Sequence, residues 1–123
     1  MSAIGILTLA AVLAAGCAGK PALAHAFLDH AVPAVGSTVA AAPKQVLIFF
    51  TEELEPHFSG ATLSAAAGGQ AVATGAAVID AQHPMEMVLS VPPLPPGKYK
   101  VSWHAVSTDT HRTEGDFTFE IRP

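Results

Sequence analysis

Gly115-Asp116-Phe117-Thr118-Phe119-Glu120-Ile121-Arg122 alternates strictly, placing Phe117, Phe119 and Ile121 on one face and polar side chains on the other. A period of two over this length marks a strand with one face buried. Working back, Lys98–Ser107 repeats the pattern with Tyr99, Val101, Trp103 and Ala105. Further candidate strands are Ala26–Val32, Gln45–Thr51, Ala61–Ala66, Val72–Thr74 and Glu86–Val91. Between them lie turn and breaker signals. Ala65-Ala66-Ala67-Gly68-Gly69-Gln70 reads as a hairpin tip, because Gly-Gly supplies positive φ. Pro92-Pro93-Leu94-Pro95-Pro96-Gly97 reads as a stiff connector, since its four prolines lack N–H donors. Glu52–Phe58 has room for one helical turn before Pro56 stops it. No segment has the length and period of a good helix. Seven short strands in about 100 residues predict an all-β fold, an antiparallel Greek-key sandwich of immunoglobulin-like type. A small barrel gives nearly the same pattern.

Upstream of the strands, Ala3–Gly16 is apolar and Ala22-Leu23-Ala24 is an A-x-A cleavage signal. Residues 1–24 are therefore expected to be a signal peptide and residues 25–123 a single domain. The leader has no Lys or Arg ahead of its apolar run. A rival reading takes Ala14-Ala15-Gly16-Cys17 as a lipobox, making Cys17 a lipidated N-terminus and leaving His25 internal. Residues 25–123 carry ten acidic and five basic side chains, a balance of −5 with histidines neutral. Such a surface repels nucleic acid and anionic lipid. The chain's one cysteine, Cys17, lies in the leader. The domain thus has no disulfide and no thiolate for a zinc or copper site.

Cleavage after Ala24 frees an α-amine on His25. That amine and the ring Nδ1 can chelate one metal ion. Asp109-Thr110-His111 supplies a second pair of donors. In an extended segment Asp109 and His111 project to the same side. Alone, a D-x-H spacing describes an Asx turn and a solvated histidine equally well. Its coincidence with an N-terminal histidine gives it weight. Three nitrogens and one carboxylate oxygen suit Cu(II).

The residues then resemble a known family. His25-Ala26-Phe27-Leu28-Asp29-His30-Ala31-Val32-Pro33, Phe49-Phe50-Thr51-Glu52 and the tail Tyr99-x-Val101-x-Trp103-x-Ala105-Val106-Ser107-x-Asp109-x-His111 look like the CopC-like periplasmic copper-resistance proteins, over nearly all of residues 25–122. The resemblance implies a CopC-type sandwich holding one Cu(II) through the amine and ring of His25, the carboxylate of Asp109 and the ring of His111. It places Glu52 behind them, accepting a hydrogen bond from a ligand imidazole; the plain alternative is a solvated acidic turn, Glu52-Glu53-x-Glu55. It further implies a non-enzymatic periplasmic copper carrier or buffer, with an inner-membrane copper transporter of the CopD type and a multicopper oxidase as partners.

Some members carry a methionine-rich loop that binds Cu(I). Here that region is Ser64–Val72, without Met or His, so no Cu(I) site is expected there. His83, Met85 and Met87 could hold a soft ion but read better as sheet-edge packing. His30, His57 and His104 read as surface residues. Two other functions remain open: a copper monooxygenase-like enzyme built on an N-terminal histidine, and a lipid-anchored structural sandwich with no metal site.

Overall fold

The computed structural model describes residues 25–123. All its regular elements are strands: β1 (Leu28–Val32), β2 (Thr38–Val39), β3 (Gln45–Phe50), β4 (Gly60–Ala65), β5 (Ala71–Val72), β6 (Glu86–Ser90), β7 (Gly97–Val106) and β8 (Arg112–Ile121). They form a three-stranded sheet, β1-β3-β6, and a five-stranded sheet, β2-β8-β7-β4-β5. The chain changes sheets at every connection except the β4–β5 and β7–β8 hairpins.

Alternation along each strand builds the interior. Val46, Ile48, Phe50, Met87 and Leu89 from one sheet face Leu63, Val101, Trp103, Phe117 and Phe119 from the other. Phe50 and Trp103 meet edge to face across the layers, with ring centroids 5.2 Å apart. Trp103 pairs with Gly115 on β8, and a Cβ there would stand 2.7 Å from Trp103 Cζ2. The missing side chain gives the indole its space. The Gly-Gly tip has the expected geometry, with Gly68 at φ 80° and Gly69 at φ 64°. The proline connector stays outside both sheets; Leu94 is buried, and the Tyr99 hydroxyl donates to the Pro95 carbonyl at 2.6 Å.

The structure departs from the sequence expectation in four places. It has eight strands, not seven, because Thr38–Val39 adds a dipeptide strand. That strand runs parallel to β8, so the sandwich is not wholly antiparallel. Two residues are too few to show a period. β8 begins at Arg112, three residues before the alternation becomes visible, because the hairpin extends the ladder through exposed polar side chains. Glu52–Phe58 forms turns and no helix; Leu54 is instead bridged to Ser107.

Candidate metal centre

The β7–β8 hairpin closes through Ser107–His111. Ser107 is buried, and its N–H donates to the His111 carbonyl at 3.0 Å. The Thr110 N–H donates to the Ser107 carbonyl at 2.8 Å. Thr110 takes φ 72°, a left-handed conformation that strains a β-branched residue. Asp109 and His111 therefore converge through a tight turn, not through strand alternation as the spacing suggested. Asp109 Oδ1 accepts a short hydrogen bond from the Ser107 hydroxyl, and Asp109 Oδ2 lies 3.3 Å from His111 Nδ1. The Ser107 bond, followed by His111, holds the Asp109 carboxyl below its ordinary pKa, against a smaller opposing effect of desolvation.

His25 reaches this loop from the other end of the chain. The residue after it, Ala26, is fully buried, and its carbonyl accepts a hydrogen bond from Thr113 Oγ1 on β8. The Phe27 N–H donates to Thr51 Oγ1 at 3.0 Å, and the Thr51 N–H donates to the Phe27 carbonyl at 2.9 Å. The Thr51 hydroxyl in turn donates to the His25 carbonyl at 3.3 Å. These ties bring the His25 and His111 rings to a centroid separation of 4.7 Å, tilted by 33°. His25 Nε2 is buried and, among the described residues, has no hydrogen-bond partner. A buried imidazole nitrogen without a partner is unusual and suits a group that has a further bond to make.

The donors meet as pairs, His25 with His111 and His111 with Asp109. Among the described residues no three His, Cys, Asp or Glu side chains form a ready-made cluster. Glu52 is half-buried beside Thr51 and makes no hydrogen bond or ion pair with either imidazole among the described residues. The expected leader, with Cys17, lies outside the described residues, as does the His25 α-amine's proposed release from Ala24.

The other sulfur and imidazole groups lie elsewhere. Met87 is fully buried in the core, while Met85 precedes β6 and is half-exposed, so His83, Met85 and Met87 do not share one face. His83 lies 4.0 Å from Asp80 on the surface. His30 stacks on Phe49 at 4.2 Å and pairs with Asp29. His57 is exposed, and the His104 ring lies over Gly60. In the sequence, Thr51 and Ser107 stand only as members of the CopC-like motifs, without a role of their own, and Thr113 does not stand out. No local signal distinguishes these three hydroxyls from other strand-end hydroxyls.

Residues 28–122 match the CopC domain. The chain belongs to the CopC family. It is 42% identical over 106 residues to copper resistance protein C of Pseudomonas syringae pv. tomato, covering 82% of this chain and 83% of that protein. The crystal structure of CopC from Methylosinus trichosporium OB3b superposes with a TM-score of 0.75 at 35% identity, covering 80% of this chain and 95% of that one. PcoC of Escherichia coli, described as a methionine-rich copper resistance protein, superposes at 0.71 with 38% identity, covering 80% of this chain and all of that one. A β-sandwich fold and a copper-related function follow for this CopC-family chain.

Proposed function

We propose that this protein binds one Cu(II) ion outside the cytoplasm, in the periplasm, and acts as a copper carrier or buffer and not as an enzyme. One observation carries the reading: His25 and His111, at opposite ends of the domain, stand ring to ring at 4.7 Å. With leader removal after Ala24, the amine and Nδ1 of His25, the carboxylate of Asp109 and the ring of His111 make up a donor set of three nitrogens and one oxygen. Cu(II) favours such a set in tetragonal geometry. Glu52 has a matching task. A ligand imidazole commonly donates its second N–H to a carboxylate, which fixes its orientation. His25 Nε2 is a buried imidazole nitrogen that, among the described residues, lacks such an acceptor.

The copper is cargo. Residues 25–123 contain just two methionines, Met85 and Met87, and Met87 is enclosed in the core. Thioethers select Cu(I), so the reading has one Cu(II) site and no second site for Cu(I). The partner classes it implies are a CopD-type transporter and a multicopper oxidase.

The test is Cu(II) titration of protein beginning at His25, followed by EPR. Expected is one tightly held ion with nitrogen hyperfine structure. His25→Ala or His111→Ala should abolish tight binding, and one glycine added before His25 should nearly do so with the fold intact. Tight binding by the glycine-extended protein would refute the amine chelate. A natural product whose N-terminus is Cys17, read by intact mass, would remove its starting point.

A further inference from the structure

We propose that the hydroxyls of Thr113 and Thr51 position His25, locking the N-terminal donor arm to the strand that directly follows His111 before any metal arrives. The inference rests on the Cu(II) reading and deepens it.

His25, Ala26 and Phe27 precede β1. Residues at a chain terminus fray unless something ties them down. Here the ties come from both sheets. Thr51 directly follows β3 of the three-stranded sheet, and its hydroxyl serves as acceptor for the Phe27 N–H and donor to the His25 carbonyl. Thr113 lies on β8 of the five-stranded sheet, and its hydroxyl donates to the Ala26 carbonyl. Three consecutive residues are thus held on two sides, with the Ala26 methyl sealed in the core between.

The position of Thr113 carries the argument. It stands two residues beyond His111, at the start of β8, the strand that directly follows that histidine. A tie from Thr113 to the Ala26 carbonyl therefore holds the backbone next to His25 against the backbone next to His111. A floppy terminus would lose conformational freedom at the moment of metal capture, which weakens binding. A donor held in place by its supporting shell avoids that loss.

The test uses protein beginning at His25, since the core of the described residues lies within 25–123. Thr113→Val keeps the β-branched shape, removes the hydroxyl and leaves the Ala26 carbonyl without its partner. Thr113→Ser restores the hydroxyl; Thr51→Val and Thr51→Ser repeat the design at the second site. In metal-free protein, aminopeptidase removal of His25, followed by mass spectrometry, should run about tenfold faster in Thr113→Val than in wild type, and at the wild-type rate in Thr113→Ser. With one equivalent of Cu(II), Thr113→Val should give a broadened or mixed EPR spectrum and bind about tenfold more weakly. Equal trimming rates in all variants would overturn the proposal even if copper binds wild type tightly. Faster trimming of Thr113→Val, in a wild type lacking the N-terminal copper signature, would uphold the positioning role and sink the Cu(II) reading alone. Should Thr113→Val fail to fold, Thr51→Val against Thr51→Ser decides by the same two readouts.

Discussion

At the scale of the residue, the centre is governed by a few groups with unusual surroundings. Asp109 has its carboxyl pKa lowered, first by the Ser107 hydroxyl and then by His111. Its native value lies below that of the unfolded chain. The carboxylate therefore supports the fold fully above about pH 4, and this support fades as pH falls through the depressed native value. Ser107→Ala should raise the Asp109 pKa toward the ordinary range, read by NMR titration of the metal-free protein. An unchanged titration would show that Ser107 is not its main partner. Thr110 presents the opposite situation, since its φ of 72° strains the residue it belongs to. Glycine adopts that conformation freely. Thr110→Gly should leave thermal stability unchanged or raise it, by no more than about 1 kcal/mol. A loss larger than that would mean the Thr110 hydroxyl, bonded to the Asp109 carbonyl at 2.6 Å, outweighs the strain.

At the scale of the element, β7 and β8 do two jobs. Their inward faces supply Tyr99, Val101, Trp103, Phe117, Phe119 and Ile121 to the core, and their hairpin holds the candidate donors Asp109 and His111. The packing leaves no room for a Cβ where Trp103 crosses Gly115. Gly115→Ala should cost about 1–3 kcal/mol, because a large buried ring must move to admit a methyl group. The paired control is Gly60→Ala. A Cβ there would stand 2.9 Å from the half-buried His104 ring, which can swing aside, so its effect should be clearly smaller. Chemical denaturation with Trp103 fluorescence measures both. Equal losses would mean that the indole is not the constraint. The strands themselves were legible in the sequence, since alternating side chains report which face is wet. β2 was not, because its pairing with β8 depends on neighbours far away in the chain.

At the scale of the whole molecule, the candidate centre sits where both sheets meet the N-terminal segment. Metal binding there should tighten the entire fold, because a ligand that binds only the native state stabilises it by mass action. Free Cu(II) at a hundredfold excess over Kd should add about 2.7 kcal/mol to unfolding, measured as a rise in Tm of protein beginning at His25. The glycine-extended protein should show no rise of that size. Binding should also release protons and weaken in acid, since the amine and imidazoles must be neutral to coordinate. An equal rise in Tm with and without the added glycine would place the copper elsewhere.

By itself, the sequence determined the class of fold, most of the strands, the inward-facing aromatics, and which residue types could serve as copper donors. Each of these depends on neighbours one or two positions apart. The tertiary structure alone decided that His25 meets His111, that Asp109 is oriented by Ser107 in a left-handed turn, and that Thr51 and Thr113 anchor the first residues of the domain. His25 with His111 and Ala26 with Thr113 join segments separated by most of the chain, and their geometry is settled only when two sheets close over a common core; the Ser107–Asp109 bond is local, but the turn that makes it does not follow from the spacing alone.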